Sequence, residues 1–205
     1  MTTLLKRNYL WIILFGTLIG LNEALIGTMN LPYRSVVLST ITIVLLAIAR
    51  SHYPQRGTSL VIITIAFLFK INNMGIQDCT APALLCGPTA MLLLGIGFEI
   101  FASLLISPKR PGVVYYVLTC ACTSVVVFGI FALLQTYILQ SWDFSRLLTY
   151  TFVRGSQTAL ISGAVCLAGL YSIRYLKNFN WPKLHPYIVK SLLFSMIVAL
   201  WFLGS

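Results

Sequence analysis

Long apolar runs separated by short polar segments are the feature that most limits how this chain can fold. The longest run, from Val113 to Leu139, contains no charged residue. A helix needs roughly 20 mostly apolar residues to cross a membrane. A transmembrane β-strand would instead alternate apolar and polar residues over segments of about ten residues. The runs therefore predict an all-α, polytopic integral membrane protein.

The runs predict a bundle of six transmembrane helices and a seventh candidate. The first run resembles a signal peptide, but it lacks a small-x-small cleavage site, and we expect it to remain as a helix. Residues 1–205 are expected to form one transmembrane domain, with no separate soluble domain. The seventh run could cross the membrane or lie along its interface. The predicted spans are Tyr9–Ile26, Ser35–Ala49, Thr58–Phe69, Pro88–Ile106, Val113–Leu139, Leu147–Tyr171 and Tyr187–Leu203.

The composition agrees with a membrane location. Only 9% of the residues are charged, whereas about a quarter are charged in a typical soluble domain. The net charge of +10 would suggest a nucleic-acid partner in a soluble protein. In a membrane chain it instead indicates orientation and contact with anionic lipid headgroups. We therefore expect membrane lipids as partners, and no nucleic acid.

The positions of the lysines and arginines predict a cytoplasmic N-terminus in the cell membrane. With that orientation, ten of the fourteen basic residues fall on the inner side, as the positive-inside rule requires. The exceptions are Arg34, Lys70, Arg146 and Arg154. The ten are Lys6, Arg7, Arg50, Arg56, Lys109, Arg110, Arg174, Lys177, Lys183 and Lys190.

Polar and aromatic residues gather in the three loops that this orientation places outside. These loops read GTMNLPYR (27–34), NNMGIQDC (72–79) and QSWDFSR (140–146). Asn72, Asn73 and Asp78 suit hydrogen bonding to a small polar ligand, and the middle loop could fold over the bundle as a lid. A solvated loop is the alternative. Asn22 and Glu23 end the first span and would face the same mouth, or else lie at the membrane interface.

Glu99 and Arg154 are charged residues well inside the predicted spans Pro88–Ile106 and Leu147–Tyr171. An ionisable group in hydrocarbon normally faces a bundle interior or a wet cavity, so Glu99 is a candidate for substrate binding. It could instead be protonated and hydrogen-bonded, or pair with Arg154 as a structural bridge. Arg154 could neutralise Glu99 or receive an anionic ligand, and the sequence leaves these alternatives open.

The cysteines and the missing motifs limit the chemistry. Cys79 and Cys86 both lie on the predicted outer side, where they could form a disulfide in an oxidising compartment. No Walker, HExxH or GxSxG motif is present, so we expect neither ATP hydrolysis nor proteolysis by those routes. We expect no enzymatic activity, no bound metal and no cofactor.

The segment CGPTAMLLLGIGFEIFASLL (86–105), together with the polar loop before it, resembles the substrate-binding S component of energy-coupling factor (ECF) transporters. The likeness covers roughly Tyr9 to Tyr171 and is one of architecture. It implies a membrane subunit that takes up a small nutrient such as a vitamin from the outer face. It also implies two cytoplasmic ATPases and a membrane scaffold subunit as partners. The stripe GTLIGLNEA (16–24) is similar to the face that such components present to their transmembrane partner.

The competing hypothesis is a non-catalytic membrane subunit that acts in the assembly of a larger complex. The transport hypothesis predicts that Glu99, Asp78, Asn72 and Asn73 converge on one cavity at the outer side. The assembly hypothesis predicts no cavity, with Glu99 and Arg154 facing another chain.

Overall fold

The computed structural model describes the backbone of most of the chain. Its regular secondary structure is entirely helical within the described residues, which confirms the all-α prediction for them. The seventh predicted span, Tyr187–Leu203, lies outside the described residues. The described backbone covers residues 2–28, 33–74, 81–106, 112–139 and 142–176, and side chains are described for 9–26, 33–69, 87–106, 112–139 and 142–171.

The helices coincide with the predicted spans and mostly extend beyond them. Within the described residues, four segments are long and apolar enough to cross a membrane, namely Tyr9–Ile26, Arg34–His52, Gly87–Leu105 and Val113–Ile138. Helix α5 continues into the π-helical turn Leu134–Ile138, and the π-helical segment Thr149–Arg154 joins α6 to α7 without a break. The α-helices are α1 (Thr2–Thr28), α2 (Arg34–His52), α3 (Thr58–Met74), α4 (Ala81–Leu105), α5 (Val113–Leu133), α6 (Phe144–Leu148) and α7 (Gly155–Leu176).

Helix α2 lies at the centre of the bundle. It contacts α1, α3, α4, α5 and α7, and these helices also pack against one another around it. Within the spans, 61% of the α2 residues are buried inside the protein, compared with 33–44% in the other three. The small polar residues Ser39, Thr40 and Thr42 of α2 are therefore in the protein interior, where such side chains let helices approach closely.

The directions of the helices define two ends of the bundle. Helices α1 and α3 run parallel, because Gly16 faces Ile65 and Gly20 faces Phe69. Helix α4 runs antiparallel to α3, and α7 runs antiparallel to α5. We call the end where α2 and α7 begin the Arg154 end, and the end where α2 and α4 finish the Glu99 end.

The small-residue stripes are used for packing within the chain. A Cβ atom added at Gly16 would lie 2.7 Å from Ile65 Cβ, so α1 can approach α3 this closely only with glycine at that position. On α7, Gly155 packs against Phe128 in the same way, with a distance of 3.3 Å. The resemblance implied that the α1 stripe faces a partner subunit, but at these glycines that face is occupied by α3.

Large apolar side chains cover the outside of the bundle. Leu104 and Leu160 are 74% and 75% exposed, and Phe152 and Ile138 are similarly uncovered. A soluble monomer rarely leaves so much contiguous apolar surface open. A surface of this kind suits contact with lipid.

Candidate functional site

A cavity of about 380 Å³ opens at the Arg154 end. Its wall comes from two parts of the chain, the first turn of α2 and the segment that leads into α7. None of the eight residues of the wall is acidic. They are Tyr33, Arg34, Ser35, Trp142, Arg146, Thr149, Tyr150 and Arg154.

The start of α2 forms one wall of the cavity. Tyr33 is the N-cap residue, and its φ of 63° places it in the left-handed region. Among the described residues it is the only non-glycine with a positive φ, a conformation that costs an ordinary side chain about 1–2 kcal/mol. The first N–H groups of a helix have no partner within the helix, so Arg34 and Ser35 bring a partly positive helix end to the cavity.

The π-helical segment Thr149–Arg154 forms the opposite wall. Three of the eight wall residues, Thr149, Tyr150 and Arg154, belong to it. A π-helical turn adds a residue to the turn and shifts the side chains that follow, and such turns are frequent at functional sites. In this protein the turn places Tyr150 and Arg154 toward the same cavity.

Two of the arginines are stacked on aromatic rings. The guanidinium carbon of Arg154 lies 4.1 Å from the centroid of the Tyr33 ring, and that of Arg146 lies 4.9 Å from the Trp142 ring. Both distances are within the range of cation–π attraction. Stacking uses the face of the guanidinium, so the N–H donors at its edge stay available to a ligand.

Aromatic packing fixes the second wall. The Trp142 and Tyr150 rings meet edge to face with their centroids 4.7 Å apart, and Phe128 stacks on Tyr150 at 5.0 Å. Phe131 contacts both Trp142 and Tyr150 at 5.8 Å. Such pairs contribute about 0.5–1.5 kcal/mol each beyond their buried area. The cluster therefore holds the loop residue Trp142 and its stacked arginine against α5.

The cavity wall holds no acidic side chain beside Arg146 and Arg154. The nearby acid, Asp143, is exposed and caps α6 by accepting a hydrogen bond of 3.0 Å from the Arg146 backbone N–H. Nη1 of Arg154 is buried and has no hydrogen-bond partner among the described residues. An unsatisfied buried donor costs about 1–3 kcal/mol, and more when it is charged. A bound acceptor would remove this cost.

The groups in the cavity suit binding rather than bond-making chemistry. Guanidinium groups, hydroxyls and a helix N-terminus donate hydrogen bonds, and the wall offers no carboxylate, histidine or thiol as a base or nucleophile. Within the described residues, no three of His, Cys, Asp and Glu lie close enough to hold a metal ion. The arrangement therefore favours an acceptor-rich ligand.

Glu99 lies at the other end of the bundle, where it caps α3. The Gly57 N–H donates to Oε1 at 2.7 Å, the Ser59 N–H donates to Oε2 at 3.2 Å, and the Ser103 hydroxyl donates to Oε1 at 3.3 Å. Gly57 precedes the first residue of α3 and has a φ of +85°. Glycine has no side chain that could cap the helix, so the carboxylate of a neighbouring helix takes this role.

The charge partner of Glu99 is Arg50. Nη1 of Arg50 lies 3.5 Å from Oε1, and both side chains are at least nine-tenths buried. Nε and Nη1 of Arg50 make no hydrogen bond within the described residues, but the carboxylate balances the charge. The predicted alternative of a Glu99–Arg154 pair is wrong, because Arg154 lies at the opposite end of the bundle on the Tyr33 ring.

The predicted convergence of Glu99 with Asn72 and Asn73 is also wrong. Glu99 contacts the first turn of α3, whereas the two asparagines are in its last turn. Thirteen residues separate Ser59 from Asn72, which is about 20 Å along a helix. The side chains of Asn72 and Asn73 are outside the described set, so the structure fixes only their places on the backbone.

The remaining predicted site residues fall into two groups. Asn22 and Glu23 lie near the end of α1, at the Arg154 end but outside the cavity wall. Asp78 and Cys79 lie outside the described residues, and only the backbone of Cys86 is described, in α4. The role of these residues in substrate binding and the Cys79–Cys86 disulfide therefore stay predictions.

Most of the cavity wall was not predicted residue by residue, although the sequence carried a signal for it. Tyr33, Trp142 and Arg146 stand in two of the loops that the orientation placed outside with polar and aromatic residues. Arg154 was predicted to receive an anionic ligand as one of two alternatives. Thr149 and Tyr150 gave no signal, because nothing in the residue pattern predicts a π-helical turn.

The chain was compared with protein-family models, with curated proteins and with solved structures. No match was found in any of the three comparisons. The function is therefore argued from the fold and the cavity.

Proposed function

We propose that this chain is an integral protein of the cell membrane with six spans and a cytoplasmic N-terminus. The apolar helices and the exposed leucines on the outside of the bundle support a location in lipid. The excess of lysine and arginine on one side supports the orientation. In this arrangement the Arg154 end faces outward and the Glu99 end faces the cytoplasm.

In this membrane protein the cavity at the Arg154 end binds a small solute as the first step of its uptake. The observation that carries the proposal is the cavity itself. Its volume of about 380 Å³ falls in the range of small-molecule sites, which combine apolar walls with a few well-placed polar groups. Stacked arginines and packed aromatic rings make the site rigid before a ligand arrives, which favours affinity.

The resemblance to an ECF S component suggests which protein subunits would act with this chain. A membrane scaffold subunit and cytoplasmic ATPases would energise the uptake of a nutrient such as a vitamin. No Walker motif is present in the chain, so in this proposal the partners supply the ATP hydrolysis. The alternative role in assembly gains no support from Glu99 and Arg154, since both contact residues of their own chain.

A co-purification experiment tests the binding function. The full chain is purified in a neutral detergent, and the small molecules released on denaturation are identified and counted by mass spectrometry. We expect a molecule that is present in proportion to the protein and is lost in Trp142→Ala. The matched control is Tyr115→Ala, an exposed aromatic residue near the start of α5 at the other end, which should retain it. Equal loss in both variants, or no retained molecule, would count against the function.

Thiol labelling tests the orientation. Single cysteines are placed at Asp143 and at His52, both exposed and at opposite ends, in a variant without the native cysteines. A membrane-impermeant reagent should label position 143 in intact cells and position 52 only after lysis. The reverse pattern would place the cavity on the cytoplasmic side and remove uptake from outside as its role.

A further inference from the structure

We infer that the cavity at the Arg154 end selects a small oxyanion with at least two negative charges, held by Arg146 and Arg154. This inference rests on the proposed function, because it names the substrate class of the same site. It goes beyond that function in assigning the sign and the number of charges.

The charge of the cavity calls for more than one negative group. Two of its arginines, Arg146 and Arg154, are stacked on aromatic rings, and none of its eight wall residues is acidic. An uncompensated charge is costly where water is partly excluded and the effective dielectric constant is low. A ligand with a single negative charge would balance only one of these two arginines. A ligand with two or more negative charges would balance Arg146 and Arg154 together.

The geometry of the two stacked arginines leaves their donors directed at a ligand. Arg154 lies on the Tyr33 ring and Arg146 on the Trp142 ring, so each guanidinium is held flat by its face. The edge of a guanidinium matches two oxygens of a carboxylate or phosphate group. Arg154 Nη1, which is buried and unpartnered among the described residues, is one such donor. The residues are eight positions apart on one helical rod, about 12 Å in the backbone, which suits a ligand that has more than one anionic group.

The first turn of α2 adds a third positive element. Arg34 and Ser35 line the cavity at the N-terminus of a helix of 19 residues. Such an end carries about half a positive charge, which favours a bound oxyanion. The left-handed Tyr33 before it places its ring under Arg154, so the helix end and the arginine face the same space.

Two sources supply this chemistry: a soluble solute, such as a phosphate ester or a di- or tricarboxylate, and the headgroup of an anionic lipid. The experiment therefore has two arms. In the first, citrate and pyrophosphate are titrated by calorimetry into the full chain in a neutral detergent. In the second, the unfolding temperature is compared in nanodiscs of phosphatidylcholine with and without cardiolipin, whose headgroup carries two phosphate groups.

The variants are chosen to separate the cavity from the total charge. Arg154→Gln removes the central guanidinium, and Arg56→Gln makes the same change of charge at an exposed position near the Glu99 end. We expect saturable binding of at least one soluble anion, weakened by about tenfold or more in Arg154→Gln, because a charge-assisted hydrogen bond is lost. Arg56→Gln should bind within about twofold of the unaltered chain, since its side chain lies outside the cavity wall.

A further variant distinguishes a change at the binding site from a loss of folding. Arg154→Lys keeps the charge but loses the planar fork, so its affinity should fall between those of the unaltered chain and Arg154→Gln. If all variants still unfold cooperatively, the loss of anion affinity is caused by the change at the cavity and not by misfolding. Equal affinity in Arg154→Gln and Arg56→Gln would overturn the inference.

The outcomes separate the inference from the proposed function. Binding of a soluble anion that depends on Arg154 supports both. Stabilisation by cardiolipin alone, lost in Arg154→Gln, keeps the oxyanion site but contradicts solute uptake. A neutral or cationic molecule that co-purifies and binds equally to Arg154→Gln keeps solute binding and overturns the oxyanion class. Failure of both the soluble anions and the lipid to bind overturns the inference.

Discussion

The arginines at the two ends of the bundle have opposite surroundings. At the Glu99 end, Arg50 is buried beside a carboxylate that also caps α3, so its charge is balanced within the chain. At the Arg154 end, Arg146 and Arg154 lie on aromatic rings in a cavity whose wall has no acid. The difference teaches that an intramembrane charge indicates a ligand site only when its partner is missing. A charge with its partner close by stabilises the fold.

Loss of the carboxylate at the Glu99 end should give the largest effect on stability. Glu99→Gln leaves Arg50 buried without a counter-charge and weakens the cap of α3. Breaking one side of a buried pair costs about 3–5 kcal/mol, and we expect about 3 because the amide oxygen can still accept the Gly57 N–H. The free energy of unfolding in detergent measures the loss, and ligand binding at the Arg154 end should persist.

The matched control removes both charges at once. Arg50→Met combined with Glu99→Leu should recover much of the stability lost in Glu99→Gln, because apolar replacement of a whole buried pair is often neutral. If the double variant is as unstable as the sum of its single changes, the pair is not the reason for the effect.

The backbone at the start of α3 should give the next largest effect. Gly57 has a φ of +85°, and a Cβ added there would have no atom within 4 Å. Gly57→Ala should therefore lose about 1–2 kcal/mol of unfolding free energy through backbone conformation alone. Gly57→Asn should lose less, since asparagine tolerates the left-handed region. Equal losses in the two variants would point to a contact rather than to the backbone.

Loss of the charge at the Arg154 end should have a smaller effect of the opposite sign. Arg154→Gln removes a charged group with a buried, unpartnered donor. We expect the unliganded protein to be unchanged or more stable by up to about 1 kcal/mol, as is common when a functional residue is replaced. Thermal unfolding of ligand-free protein measures the change. If Arg154→Gln lost as much unfolding free energy as Glu99→Gln, the two ends would not differ in how their charges contribute to stability.

Salt should give the smallest effect on stability and should separate the ends again. The Debye length falls from about 30 Å at 0.01 M salt to about 3 Å at 1 M, but buried pairs are screened little. The stability difference between the unaltered chain and Glu99→Gln should change by less than about 0.5 kcal/mol over this range, whereas anion binding at the open cavity should weaken. A strong salt dependence of the Glu99 effect would show that the pair is accessible to solvent.

The sequence predicted where the helices lie, but it did not predict which residues pair with the charged side chains. Apolar run length predicts α2 and α5 because a helix satisfies its own backbone in lipid. The partner of Glu99 depends on which helices are neighbours. Helix α2 lies at the centre and brings Arg50 to α4, and no local pattern contains that information. The stripe of Gly16 and Gly20 is a second example. The spacing of its glycines predicts that another helix packs closely against α1, but it does not predict that this helix is α3.

The cavity was predictable in part for a similar reason. The loops with Tyr33 and Trp142 were identified by their aromatic and polar residues and their side of the membrane. The φ of 63° at Tyr33 and the π-helical turn before Arg154 arise from tertiary packing. These two features set the positions of the stacked arginines, so the sequence pointed to loops at this end of the bundle but not to the residues of the cavity wall.

The most direct test is an experimentally determined structure of the full chain with its co-purified molecule bound. The account predicts ligand density at the Arg154 end between the Tyr33 and Trp142 rings, with oxygen atoms within hydrogen-bonding distance of both stacked guanidiniums. Density beside Glu99 and Arg50, with an empty cavity at the other end, would contradict it.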